Sequence, residues 1–353
     1  MHDVRVWPTL STCMNRKLLL FGALGLISAC AHRRPILPGM SPDRWFAAND
    51  TLFQKSVESR SHQESLLQSG TPVFVHGSFD WTAFVWKDGR PLIEGWENAD
   101  KGAWWNDLLR IETSALLLAE SQSLRTYREG ACWNSYKQGL AAITEGTRAP
   151  LPTPVTPLPA LPSQEKTSAS YAESPEWKNS LPEVDDSWRK AFERGLPTGI
   201  SLQEVRRVSV PTASLAHYVG HLADGKWVEF EELAENEKFK SGCDRYIQIS
   251  RAIGIEARCL AIGGRSFAVK FSPEKWSRPE ARDFNAENLA GQLAWMCRNM
   301  ATLHSKQMSL PQARALYLTL EYNPVFVERL KSFSRDEANR TLVEYRSSIT
   351  SSP

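Results

Sequence analysis

Apolar residues fall into short runs in some segments of the chain and into a helical repeat in others. Val73–Val75, Phe84–Trp86 and Pro91–Ile93 are apolar runs bounded by turn residues and predict strands, with Lys87-Asp88-Gly89 as the turn between the last two. Trp104, Leu108, Ile111, Ala115 and Leu118 recur at the spacing of one helix face. Leu289, Leu293, Met296, Met300 and Leu303 repeat in the same way, and helical character runs from Pro324 to about Ser348. Arg258–Ile262 and Ser266–Phe271 predict a hairpin closed by Gly263-Gly264. Strands and helices come in groups rather than in strict alternation, which predicts an α+β fold with a small strand-rich part and a helical part.

Two segments break the globular pattern. "APLPTPVTPLPALP", starting at 149, carries six prolines. Each fixes φ and removes an amide donor, so 149–163 is read as an extended linker or insert. From Met14, which is an alternative start, "MNRKLLLFGALGLISAC" opens on Arg16 and Lys17 and continues as an apolar run to Ile27. That run is too short for a bilayer span of about 20 residues and has the size of a signal-peptide core. It ends in Ile27-Ser28-Ala29-Cys30, which resembles a bacterial lipobox. The resemblance implies a signal peptide over 1–29, lipidation at Cys30, a tether over 30–39 and a folded domain over 40–348. Acyl chains on Cys30 make the membrane its first partner, since two chains anchor stably where one does not. Ala31 after the cysteine points to the outer membrane, with the domain facing the periplasm.

Charged residues are 23% and apolar residues 42% of the 353, with net charge +2. That is the composition of a domain with a sizeable core, and it gives no case for nucleic acid. Beyond Cys30 the domain holds Cys132, Cys243, Cys259 and Cys297. None forms a close C-x-x-C pair, so no metal is expected on them. An oxidising compartment allows two disulfides in any of three pairings.

Candidate chemistry centres on "VFVHGSFDWTAF", 73–84, and the segment that follows to 119. With "SPDRWFAANDTLF" at 41–53, this stretch resembles the bacterial proteins grouped as domain of unknown function 2252, themselves similar to protein kinases and small-molecule phosphotransferases. Their pattern is Gly-Asp-x-His-x-x-Asn-Phe, a hairpin, Asp-Phe-Asp, then Gly-Pro-x-x-Trp-Asp-Leu-x-Arg-Leu. More weakly, "RAIGIEARCLAIGGRSFAVKFSPE" and "NMATLHSKQ" resemble the family's Gly-rich hairpin, strand lysine and C-terminal Ala-x-x-His segment. The resemblance implies a protein-kinase-like fold. By position, Ser78 replaces the catalytic Asp, Asp80 the His and Ala83 the metal-holding Asn. Gly95 and Glu97 take the places of the two acids in Asp-Phe-Asp. Phosphoryl transfer depends on metal and charge positioning, and a methyl group binds no cation. The structural members Gly77, Phe84, Gly102, Asp107 and Arg110 are kept. The expectation is a pseudoenzyme without cofactor that binds another envelope protein, with a weak phosphotransferase using Asp80 and Glu97 as the alternative.

Lys270 alternates with Phe267, Val269 and Phe271 and is either the family's nucleotide contact or a solvated strand lysine. Asp107 and Arg110 stand one helical turn apart and are expected to pair. "SGCDRYIQISRAIGIEARCLAIGG" is similar to a transglutaminase-like core and offers Cys243 as a rival nucleophile, though Ser266 stands where that family's His belongs. His217 and His221 stand at i, i+4, the spacing of paired metal ligands, but with no acidic or third His ligand nearby they are read as a satisfied or exposed pair on a helix. Tryptophan is frequent, at 13 residues, and several are expected to pack near the loop or to line a binding surface.

Overall fold

The computed structural model describes residues 40–48, 53, 72–87, 90–127, 129–145, 166–167, 175–178, 180–181, 183–208, 215–235, 239–272 and 275–350. The leader with Cys30 and the proline-rich insert lie outside the described residues. In chain order, α1 (Pro42–Ala48) precedes β1 (Val73–Val75), β2 (Phe84–Lys87), β3 (Arg90–Ile93) and β4 (Asp100–Gly102). Helices α2 (Trp105–Ser121) and α3 (Ala131–Thr144) follow, then β5 (Lys166–Thr167), α4 (Pro175–Lys178) and α5 (Asp186–Glu193). Next come β6 (Leu202–Val208), β7 (His217–Leu222), β8 (Trp227–Leu233), α6 (Gly242–Ile253), β9 (Arg258–Ile262) and β10 (Arg265–Phe271). The chain then runs through β11 (Lys275–Ser277), α7 (Ala286–Ser305), α8 (Leu310–Tyr322) and α9 (Pro324–Thr350). The fold is α+β, as the grouping of elements predicts. Among the described residues, no helix is long and apolar enough to cross a membrane.

The helical part is organised around α2. From Asp107 to Ala115 each of its side chains is buried, so it is a core helix rather than an amphipathic surface one. Leu108, Leu109 and Ile111 are fully buried, each contributing about 1.5–3 kcal/mol of hydrophobic stabilisation. Helices α3 and α7 pack against each other so closely that a Cβ at Gly139 would lie 2.8 Å from the Ala301 methyl. A disulfide between Cys132 and Cys297 joins the same two helices. Asn285 caps α7 by accepting from the Asn288 amide at 2.8 Å, as its position before an apolar repeat predicts.

The strand-rich part is a five-stranded antiparallel sheet, ordered β6-β7-β8-β10-β9. Gly263-Gly264 closes the β9–β10 hairpin, with Ile262 opposite Arg265. One face of the sheet packs on α5 through Phe192, Val205, Tyr218, Phe230 and Phe267. Period-2 alternation sends the residues between them to the other face, toward the helical part. Helix α6 is capped by Ser241, whose side chain accepts from the Asp244 amide at 3.1 Å. It buries Tyr246, Ile249 and Ile253 in the core shared with α2 and α7. The remaining sheets are β1-β4 and β3-β2-β11-β5.

Candidate functional site

The segment after β1 is a turn locked on every side. Gly77 has φ +79°, and a Cβ there would meet the Asn98 carbonyl oxygen at 2.4 Å, so only glycine fits. Ser78 Oγ accepts from Asn98 Nδ2 at 3.0 Å. The Asp80 carboxylate caps the 3-10 turn Trp81–Ala83, accepting from the Thr82 amide at 2.8 Å and from the Thr82 hydroxyl. Burial raises the Asp80 pKa. Trp81 donates from Nε1 to Asp43 at 3.2 Å, and its carbonyl accepts from Gln292 at 2.9 Å. The loop is therefore fastened to both α1 and α7. Gly95 has φ +91°, and a Cβ there would sit 3.2 Å from His76 Cε1. An aspartate at this position would be strained by its backbone as well as crowded by the imidazole.

Beneath the loop lies a buried polar chain. The His76 amide donates to both Asp107 oxygens at 3.0 and 2.9 Å. His304 Nε2 is 3.3 Å from Asp107 Oδ2, and its Nδ1 is 2.9 Å from the Tyr136 hydroxyl. His76 Nε2 meets the Glu94 carbonyl at 2.5 Å, and burial pushes this imidazole down in pKa. Asp107 thus fastens α2 to the loop, as expected, but it does not pair with Arg110. The Arg110 guanidinium lies over the Phe46 and Phe53 rings, 5.3 and 5.5 Å from their centroids, and burial lowers its pKa to about 9. A three-residue step leaves the two side chains only about 60° apart around the helix, so spacing permits the pair, but each meets a different partner.

Glu112, also buried on α2, accepts from the Gly130 amide at 2.7 Å and the Tyr127 hydroxyl at 3.2 Å. Burial raises its pKa from 4.5 to about 7. Between those values the folded state holds a proton that the unfolded chain has released. The stability linked to this proton is complete below pH 4.5 and lost as pH rises through about 7. Glu112→Gln is therefore expected to match the parent near pH 4.5 and to exceed its stability at pH 8 by up to about 3 kcal/mol. Denaturant midpoints at the two pH values check this; the same pH dependence in both proteins would refute it.

Above the loop, the sheet's inner face brings together residues far apart in sequence. Lys270 on β10 forms ion pairs with Glu97 and, at 2.6 Å, with Glu231 on β8. It is not the solvated strand lysine of one sequence reading. Burial pulls its pKa down, but Glu97 and Glu231 more than offset this and hold it well above the ordinary range. Burial and the adjacent Glu231 push Glu97 up. Nearby, Glu94 bridges Lys87 and Arg278. Arg245 of α6 fixes this arrangement, donating to the carbonyls of Ala99 at 3.0 Å, Glu97 at 2.9 Å and Ala234 at 3.1 Å. Asp80 and Glu97 have different partners, so they do not form the joint acidic pair of the alternative reading.

Two further expectations are corrected. Cys243 is in a disulfide with Cys259, so it is not a nucleophilic thiol. The pairing, left open by the sequence, is Cys132–Cys297 and Cys243–Cys259. His217 and His221 sit on strand β7 rather than a helix, paired on one side with β6 and on the other with β8. His221 packs on Trp227, whereas His217 faces Glu229 and Glu231 on β8. These acids escaped sequence reading because strand pairing, not chain proximity, brings them to the histidine. Their signal was the alternation in "WVEFEEL". On the outer side of α5 an open depression of about 750 Å³, lined by Lys190, Arg194, Pro197 and Gly199 among others, holds no comparable set of groups. No protein-family model, curated protein or solved structure matches the chain.

Proposed function

We propose that the chain is a lipid-anchored component of a bacterial envelope, built on a protein-kinase-like domain that has lost phosphoryl transfer and serves as a binding module. The observation that carries this reading is the state of the loop. Asp80, its one acid, is consumed in capping a turn, while Ser78, Ala83 and Gly95 supply neither a carboxylate base nor a metal ligand. The meeting of Lys270 with Glu97 supports the kinase-like part. The resemblance makes one of them the nucleotide lysine and the other an acid of the metal motif, and both lie between a sheet and a helical body. A phosphate approaching Lys270 would have to displace two carboxylates already bound to it. Two disulfides support an oxidising compartment, in keeping with the lipobox-like motif at Cys30.

The Lys270–Glu97 contact also favours the second reading, a weak phosphotransferase using Glu97. A titration with magnesium and ATP separates the two. No magnesium-dependent binding is expected, and protein extracted from membranes should show by intact mass a lost leader and acyl chains on Cys30. Micromolar binding that Glu97→Ala or Lys270→Ala abolishes would establish the phosphotransferase instead. An unmodified Cys30 would remove the anchor from the proposal.

A further inference from the structure

His217 on β7 lies directly opposite Glu231 on β8, and Glu229 is two residues along the same strand. Period-2 geometry places all three on the sheet's inner face. One ligand atom from each lies within 4.8 Å of the other two. His217 Nε2 is 3.6 Å from Glu229 Oε2, and Nδ1 is 3.6 Å from Glu231 Oε1. These separations are longer than a hydrogen bond of about 2.7–3.2 Å. They run from opposite nitrogens of one ring, and an ion takes only one of these, so the 4.8 Å spread of the three ligand atoms is what admits a shared ion.

A separate observation points the same way. His217 Nε2 is closed off from solvent yet has no hydrogen-bond partner, whereas buried polar atoms ordinarily have one. The two oxygens of Glu231 are also divided in use. Oε2 is held by Lys270 at 2.6 Å, which orients Oε1 toward the imidazole. A hydrogen bond to the far oxygen is how ligating carboxylates are commonly aimed.

We propose that His217, Glu229 and Glu231 form a divalent-cation site of the zinc class, with a fourth position left for water or a ligand. One imidazole and two carboxylates suit zinc; magnesium demands an octahedral, largely oxygen and water shell. All three side chains stand on paired strands, so the sheet itself sets their spacing. The site goes beyond the binding-module reading and does not depend on it.

The test is calorimetric titration of the metal-stripped, untagged full chain with zinc chloride. One zinc per chain at micromolar affinity is expected. His217→Ala and Glu231→Gln should each weaken binding at least tenfold, while His221→Ala, on the same strand, stays within about threefold of the parent. No zinc binding, or affinity unchanged in either His217→Ala or Glu231→Gln, overturns the proposal. X-ray absorption of the parent's zinc complex needs no variant. One imidazole among oxygen neighbours supports the site, and sulfur ligation or two imidazoles overturns it.

Discussion

Replacing Cys132 and Cys297 together by alanine is expected to remove about 5 kcal/mol of stability, the largest effect of any pair of substitutions considered for this chain. The bond closes a loop of 165 residues, and restraint of the unfolded chain grows with the logarithm of loop length. Cys243–Cys259 spans only 16 residues, and on the same scaling it contributes about 3 kcal/mol. Both Cys132 and Cys297 are fully buried, between helices that pack closely enough to require Gly139. Small domains have about 5–15 kcal/mol in total, so the double variant should unfold at a markedly lower denaturant concentration. Urea midpoints of the two double-alanine variants measure the difference. If the Cys243/Cys259 variant loses more, or the Cys132/Cys297 variant loses less than about 1 kcal/mol, the chain-entropy account fails here.

Asp107→Ala is expected to have the next largest effect. Its carboxylate is 1% exposed and serves the His76 amide and the His304 ring together. Leaving the buried His76 amide without an acceptor costs about 1–3 kcal/mol, and the lost contact with the His304 ring adds to it. Asp107→Asn keeps one acceptor oxygen for the His76 amide and should recover about half of the loss. The sequence reading assigned this role to an Asp107–Arg110 pair, but the structure assigns it to Asp107 with His76, just after β1, and His304 of α7. Unfolding midpoints of the two Asp107 variants check the prediction. An Asp107→Ala protein as stable as its parent would remove Asp107 from the set of residues that hold the loop.

How much of this was legible depended on the range of the interactions. Val73–Val75, the β9–β10 hairpin and helices α2 and α7 follow from local apolar spacing, and they formed where that spacing put them. The loop at Ser78 and Ala83 was legible as a place without metal ligands because residue type alone decides that. The partners of Lys270 were not. Glu97 and Glu231 lie 173 and 39 positions earlier in the chain, and only the sheet register and the seating of α6 bring them to it. The histidines on β7 were misassigned because an i, i+4 spacing fits a strand face as well as a helix face.

The nested arrangement of the two disulfides also bears on how the protein is made. Of the four disulfide cysteines, a chain entering an oxidising compartment from its N-terminus delivers Cys132 first, then Cys243 and Cys259, and Cys297 last. Cys132 must therefore wait as a free thiol while two wrong partners appear before the right one. Bonding to Cys243 or Cys259 in that interval would hold α3 against α6 or β9 and leave α7 without its closest neighbour. Correct assembly then requires thiol–disulfide exchange, which is slow without an isomerase. The yield of folded protein should accordingly depend on a disulfide isomerase in the host, while a Cys243→Ala, Cys259→Ala chain, in which neither intervening cysteine competes for Cys132, should depend on it much less.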